Sequence, residues 1–274
     1  MFRFVQLEFP WALGPPDGRY VLRGHAGEPE HVLVTATLGA PQRRLLGNRP
    51  RPASTEPAPV TTARATLVAA APFDSEGEAA AWLKRAGDED VDDAIVVLNR
   101  VLHLQRTAAA DAFVREVSRG QAIVARVGYG EGEEVAHGRW SAATTLPIPR
   151  APRTARAAAL RPQERLAALL SGRDAALAAE ELTLRARLDL DAGRAREAAL
   201  QLRVALEAAL AELEPWRDRL PDRLAELRES RAVVGAAANS ALQGGLDEPM
   251  TADVEQVLQR LEAALRARVA AGLE

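Results

Sequence analysis

The chain has 274 residues, 47% hydrophobic and 27% charged, a balance typical of globular proteins and long enough for two domains. It contains no cysteine, which excludes disulfide bonds, thiolate zinc sites and cysteine nucleophiles. Its formal net charge of −3 gives no overall attraction to nucleic acid or anionic membranes, although it leaves room for a local basic patch.

The N-terminal segment and the hydropathy of the chain predict a cytoplasmic protein. The first eight residues alternate in polarity and lack the basic and apolar regions of a signal peptide. No apolar run approaches the ~20 residues that span a bilayer. Lys84 is the single lysine among 35 basic residues, and together with abundant alanine this is typical of a bacterial, GC-rich genome.

The composition changes near residue 147. Every histidine, tyrosine and phenylalanine and three of the four tryptophans precede it, whereas Ala, Leu, Arg and Glu dominate the rest, with Trp216 as its single aromatic residue. We therefore predict an α+β domain at 1–146, a linker rich in proline and arginine at 147–161 and an antiparallel helical bundle at 162–274.

The first domain begins with predicted strands at 2–9, 19–23, 31–38 and 61–71, and 47–59 is predicted to be an exposed proline-rich excursion. In the third strand Val32, Val34, Ala36 and Leu38 share one face, with His31, Thr35 and Thr37 opposite.

Helices are predicted next, at about 76–86 and 91–109. Ser75 and Glu78 have capping-box spacing at the first, and apolar residues at helical spacing mark the second. A short helix near 111–118 and a hairpin across Gly130-Glu131-Gly132 complete the order. This order predicts a mostly antiparallel sheet.

The second domain is predicted to be helical throughout, with helices near 162–171, 173–191, 194–214 and 222–242. Gly244-Gly245 is expected to end the fourth, and Thr251 to cap a last helix. That helix has an apolar stripe of Val254, Val257, Leu258, Leu261, Leu265 and Val269, which we expect to be buried within the bundle rather than against a second copy.

No arrangement of residues predicts a catalytic triad, a catalytic carboxylate pair, a cofactor or a metal site. The best ligand-binding candidates are His31, His103, Arg126 and His137, because imidazole titrates near neutrality and arginine binds anions. The Gly128–Gly132 segment is better explained as a glycine-rich turn than as a phosphate-binding loop. Likewise, Glu133, Glu134 and His137 are explained more simply as a solvated acidic hairpin than as metal ligands.

Four residues are candidates for partner binding. Trp216 follows Pro215 at a helix corner, where it either plugs the end of the core or anchors a partner. Arg150, Arg153 and Arg156 make the linker basic, so they either contact nucleic-acid phosphates or are simply solvated.

Two family resemblances lie in the helical half. Residues 182–202 look like one unit of a tetratricopeptide repeat, but no second copy follows, which argues against a solenoid. From residue 173 onward the pattern of long helices, with Arg231, Asn239 and the Gly244-Gly245 break, resembles a HEPN-type bundle. HEPN ribonucleases carry a histidine four to six residues after an arginine. Arg231 has no such histidine, so the resemblance implies a member without ribonuclease activity.

These observations favour a non-catalytic protein-interaction or assembly subunit of the adaptor type, with a protein partner expected and a homo-oligomer left open. One alternative is an enzyme or small-molecule sensor with its site in the first domain. It requires at least two candidate histidines in one concave pocket. A second alternative is an RNA-associated, HEPN-like protein, which would bind with steep salt dependence.

Overall fold

The computed structural model describes residues 1–24, 26–39, 60–148 and 161–272. Contacts divide the chain into two compact units, Met1–Pro152 and Arg153–Glu274, which we call the sheet unit and the helical unit. Over the described ranges, no helix is both long and apolar enough to cross a membrane.

The sheet unit contains one antiparallel sheet in the strand order β2-β3-β4-β1-β5-β6. Its strands are β1 Phe2–Phe9, β2 Gly18–Arg23, β3 Pro29–Leu38, β4 Thr62–Pro72, β5 Val124–Gly130 and β6 Ala142–Leu146. Helices α1 (Glu76–Leu83) and α2 (Asp88–Ala108) lie between β4 and β5 in the chain. The predicted α+β class, with an antiparallel sheet followed by a helical region, is confirmed.

Both faces of the sheet are covered. On one face, Leu7 and Phe9 of β1 pack with Leu98 and Leu102 of α2 in the main core. On the other, Phe4, Val68 and Val135 form a smaller cluster. Because a strand alternates its side chains between faces, β3 buries Leu33 and Thr35 on one side and Val34 on the other.

Two local predictions in the sheet unit are wrong. Residues 111–118 form no helix but a turn and an irregular segment, which the Asn99 side chain holds at Val117. Its amide Nδ2 donates to Val117 O and its Oδ1 accepts from Val117 N, both at 2.8 Å. The turn predicted at 130–132 is a longer connection with a 3₁₀ turn at Gly132–His137, which buries Val135 against the second face.

The described part of the helical unit consists of α3 Pro162–Leu170, α4 Ala178–Asp191, α5 Ala195–Glu212, α6 Pro221–Glu229, α7 Arg231–Gln243 and α8 Glu248–Gly272. Pro162 occupies the first turn of α3, as predicted. The buried faces of α5 and α8 meet in a core of alanine, leucine and valine. The apolar stripe of α8 is buried within this unit, as expected.

The helix ends correct three predictions. The helix expected at 173–191 begins only at Ala178. The single helix expected at 222–242 is divided at Ser230, whose hydroxyl donates to Glu226 O at 2.8 Å. Asp247, rather than Thr251, caps α8, because its Oδ1 accepts from Met250 N at 2.8 Å while Thr251 lies inside the first turn.

Candidate functional site

A pocket with a volume of 350 Å³ opens between the sheet and the N-terminal half of α2. Its apolar lining includes Val5, Leu67, Trp82 and Val97, and its polar lining consists of Arg3, His31, Asp90 and Asp93. We call it the α2 pocket. It is the candidate site because it combines an apolar interior with a few converging polar groups.

The strand register explains why Arg3 and His31 reach the same pocket. Arg3 of β1 and His31 of β3 both lie at odd positions, on the face that carries Leu7 and Leu33. Strand β4 lies between them, and the residue opposite His31 is Ala69. Because the side chain of Ala69 is only a methyl group, open space is left above β4 between Arg3 and His31.

The two helices supply the opposite wall. Asp90 and Asp93 lie three residues apart in the first turns of α2, so they share one face. Asp90 Oδ2 accepts a hydrogen bond from Gly87 N at 2.9 Å, which fixes this carboxylate at the start of the helix. Trp82 of α1 packs against Phe73, with ring centroids 5.7 Å apart.

The electrostatics of the pocket depend on His31. Burial lowers the pKa of His31 below its usual 6.5, nearby Glu30 acts to raise it, and Arg3 acts to lower it. His31 is therefore mainly neutral at neutral pH, when it can both donate and accept a hydrogen bond. The sheet side then carries the Arg3 guanidinium, and the helix side carries two carboxylates.

The other predicted histidines lie elsewhere. His103 on α2 contacts Arg106 Nη2 through its Nδ1 at 3.2 Å and lies 3.9 Å from Glu116 Oε1. His137 is exposed at the end of the 3₁₀ turn. His25 lies outside the described residues. Of the three histidines described, only His31 lines the α2 pocket, so the convergence that a histidine-based enzyme site requires is not found among them.

Arg126 lies on the opposite face of the sheet, in a row of polar side chains across three strands. Its Nη1 donates to Gln6 Oε1, and Gln6 Nε2 donates to Thr66 Oγ1 at 3.0 Å. The indole of Trp140 lies 5.0 Å from the Arg126 guanidinium carbon. Gln6 and Thr66 are fully buried. Arg126 therefore forms part of this hydrogen-bonded row, on the face of the sheet opposite the α2 pocket.

The acidic connection after β5 is held by arginines. Glu133 pairs with Arg19, and Glu134 Oε2 lies 2.9 Å from Arg139 Nε. Within the described ranges, no group of three or more His, Asp or Glu residues could hold a metal ion. Gly128 serves close packing, because a Cβ atom there would lie 2.5 Å from Ala142 O.

Trp216 is half-buried in the helical unit, and its ring contacts two guanidinium groups. The ring centroid lies 5.4 Å from Arg219 Cζ and 5.8 Å from Arg268 Cζ. Arg268 is itself buried and donates from Nη2 to Asp174 Oδ1 at 2.7 Å. The Trp216 ring thus lies over a cluster of polar side chains that includes Arg268 and Asp174. The other partner-binding candidates, Arg150, Arg153 and Arg156, lie outside the described residues.

The sequence pattern did not single out Arg3, Trp82, Asp90 and Asp93 as site residues. The sequence does contain a pattern that points to them. Arg3 is a cation on the buried face of a strand, and Asp90 and Asp93 are two carboxylates at helical spacing next to buried apolar positions. This pattern could not be used without knowing which strand lies beneath α2.

No family model, characterised protein or solved structure shows significant similarity to this chain.

Proposed function

We propose that this chain is a binding protein rather than an enzyme, and that its sheet unit holds a small ligand in the α2 pocket. The observation that carries the proposal is the separation of charge across that pocket. Arg3 and His31 line it from the sheet, and Asp90 and Asp93 line it from α2. Among the described residues that line it, none carries a hydroxyl or thiol nucleophile.

The lining indicates the kind of ligand. A guanidinium group binds a carboxylate through two parallel hydrogen bonds, whereas aspartates bind an ammonium group. Trp82, Leu67 and Val97 provide contacts for an apolar body between these ends. The volume of 350 Å³ is near the small end of ligand pockets, which range over roughly 300–1,000 Å³. A zwitterion the size of an amino acid or dipeptide fits these requirements.

The test is titration of the purified chain with leucine, phenylalanine, tryptophan and dipeptides of these, followed by calorimetry and ligand-detected NMR. Arg3→Gln and Asp93→Asn should each weaken binding about tenfold, because each removes one charge-assisted interaction. Arg100→Gln is the matched control, because Arg100 is exposed on α2 and does not line the pocket.

Two results would contradict this proposal. One is that none of these compounds binds the intact chain. The other is that binding occurs but is equally strong in the Arg3, Asp93 and Arg100 variants, which would place the ligand elsewhere.

The helical unit suggests a second candidate function, assembly with another copy of the chain. Leu184 and Leu188 lie four residues apart on α4 and are 67% and 46% exposed. Leu166 and Leu170 repeat this spacing on α3 and are also exposed. Two such pairs give this unit exposed apolar surface that a second copy would cover, and symmetric dimers are the commonest soluble oligomers.

Sedimentation equilibrium tests this second function directly. The intact chain should form a dimer, and the double variant Leu184→Glu/Leu188→Glu should be a monomer, because each copy would bring two carboxylates into the contact. Leu242→Glu is the control, since Leu242 is also exposed but lies on α7. A monomeric intact chain would exclude self-assembly through α4.

A further inference from the structure

A second concave surface lies on the helical unit, where α4, α6 and α8 surround a groove of 630 Å³. We call it the arginine groove. Its charged lining consists of Arg187 from α4, Arg223 from α6, and Arg260, Glu262 and Arg266 from α8. Four guanidinium groups thus surround one carboxylate, although the whole chain has a net charge of −3.

The single carboxylate holds two of the arginines side by side. Glu262 Oε1 accepts from Arg187 Nε at 2.7 Å, and Glu262 Oε2 lies 3.7 Å from Arg266 Nη1. Glu262 is the first cause of the raised pKa of Arg187, which therefore keeps its charge at every physiological pH. Arg187 Nη1 also lies 3.5 Å from Asp191 Oδ1 on its own helix. Two carboxylates cannot engage all the donors of two guanidinium groups, so N–H groups of Arg187 and Arg266 are left for a ligand.

The remaining arginines are less tightly paired. Among the described residues, the carboxylate that Arg223 pairs with is Glu226, at 3.7 Å on its own helix, and this pair is half exposed. Among the residues that the structure describes, no carboxylate lies within ion-pair distance of Arg260. An exposed pair of this kind contributes little to stability, so Arg223 can exchange it for an anion at small cost.

The shape of the groove favours an extended anion. The residues that α8 contributes lie on one helical face, and Ala263 is at the middle of it. The methyl side chain of Ala263 leaves open space between Arg260 and Arg266. Cations on both sides of this space suit a group with phosphoryl oxygens at two centres better than a single phosphate.

Among its described lining residues, the groove offers a base the amides of Gln256 and Gln259 but no aromatic ring. Trp216 is the single aromatic residue of this half of the sequence and does not line the groove, so no ring is available for stacking. We propose that the arginine groove binds the pyrophosphate group of a small phosphorylated ligand, through Arg187, Arg223, Arg260 and Arg266. This site is separate from the α2 pocket, and its test does not depend on that proposal.

The experiment is calorimetric titration of the full chain with inorganic pyrophosphate, inorganic phosphate and adenosine diphosphate, in low salt and in 150 mM salt. Pyrophosphate should bind at least about tenfold more tightly than phosphate, because it engages guanidinium groups on both sides of Ala263. Adenosine diphosphate should match pyrophosphate if the diphosphate alone is recognised. Binding should weaken in the higher salt.

Variants locate the site. Arg260→Gln and Arg266→Gln should each weaken pyrophosphate binding about tenfold. Arg185→Gln should leave it unchanged, because Arg185 is an exposed α4 arginine that pairs with Glu181 and does not line the groove. Unchanged circular dichroism and melting temperature would show that all three variants are folded.

Three results would overturn the proposal: no binding of pyrophosphate at low salt, equal binding of phosphate and pyrophosphate, or equal binding by the Arg260, Arg266 and Arg185 variants. A single-stranded oligonucleotide that binds while pyrophosphate fails to compete with it would also overturn it, in favour of nucleic acid as the partner.

Discussion

Both units bury polar side chains, but they differ in where their candidate sites lie. The sheet unit buries Gln6 and Thr66 between strands and has charged residues around a pocket beneath α2. The core of the helical unit is built from alanine, leucine and valine, and its arginine groove lies on the outside of the helices. The candidate site of the sheet unit therefore combines apolar and charged residues between a sheet and a helix, whereas that of the helical unit is mainly a charged surface.

Side-chain size accounts for much of this difference. Ala198, Ala205 and Ala209 of α5 are fully buried, so small side chains face the neighbouring helices and leave few gaps. In the sheet unit, Trp82 and Ala69 line the same pocket despite their very different sizes. A core made of unequal side chains on unlike elements forms a cavity more readily than one made of similar side chains on parallel surfaces.

The largest effect should come from the uniform core of the helical unit. Leu261 is fully buried in α8, and Leu261→Ala should reduce the free energy of unfolding by about 2–5 kcal/mol. Urea denaturation at two protein concentrations measures this loss. The loss should not depend on concentration, because the residue packs within its own unit.

Leu242→Ala is the matched control, because Leu242 is 68% exposed and its truncation should change stability by less than about 0.5 kcal/mol. A concentration-dependent loss at Leu261 would instead identify α8 as part of a contact between copies. Equal losses at both positions would remove the distinction between core and surface in this unit.

The next effect concerns the polar cluster beside Trp216. Burial acts to raise the pKa of Asp174, but hydrogen bonds from the Ala175 backbone and from Arg268 outweigh it, so the pKa lies below its usual 3.8. Arg268→Leu should destabilise the protein by about 1–3 kcal/mol at pH 7, because it leaves Asp174 without its closest cation.

This loss should depend on pH in a defined direction. A carboxylate whose pKa is lower in the folded state stabilises the fold above its unfolded pKa and loses this contribution as pH falls through the folded pKa. The Arg268→Leu penalty should therefore shrink below about pH 3.8. Arg185→Leu is the control, and its exposed pair should contribute less than about 0.5 kcal/mol. A penalty constant from pH 7 to pH 3 would contradict the electrostatic explanation.

A smaller effect is expected from the buried row in the sheet unit. Thr66→Val keeps the side-chain volume but removes the oxygen that accepts from Gln6 Nε2. A buried donor without a partner should cost about 1–2 kcal/mol. Thermal unfolding measures this loss of stability. In the same experiment Thr144→Val, on the exposed edge strand β6, should be nearly neutral. If Thr66→Val were instead more stable than the parent chain, the hydrogen bond from Gln6 to Thr66 would contribute nothing to stability.

The sequence predicted elements better than it predicted sites. Periodicity located the first four strands of the sheet to within a few residues, because alternating burial leaves a local signal. It predicted a helix at 111–118, where none forms, because the two hydrogen bonds between Asn99 and Val117 join residues 18 positions apart in the chain. It missed the division of a long helix at Ser230 because the residues on both sides have ordinary helix propensity.

The α2 pocket illustrates the same limit. His31 was a candidate from its chemistry alone, but its neighbours are set by pairing. Arg3 comes within reach only because β1 and β3 flank β4, and Asp93 only because α2 packs across these strands. Local patterns carry no information about strand order, so the sequence named one residue of this site and missed its partners.

The smallest expected effect is the pH dependence that His31 gives to the sheet unit. Its pKa is lowered mainly by burial, so the unfolded chain binds a proton at a pH where the folded chain does not. Stability should then fall as pH decreases from the unfolded pKa of about 6.5 toward the folded pKa.

His31→Gln should flatten this decline in urea denaturation curves measured between pH 7.5 and pH 5, a range above the titration of ordinary aspartates. His137→Gln is the matched control for replacing an imidazole, because His137 is exposed and does not line the pocket, and the decline should be flatter in His31→Gln than in this control. Equal slopes in both variants and the parent chain would show that protonated His31 is accommodated without cost, next to Glu30, Asp90 and Asp93. The burial of His31 in the sheet unit would then carry no cost for its protonation, and the pocket would not differ in this respect from the exposed groove of the helical unit.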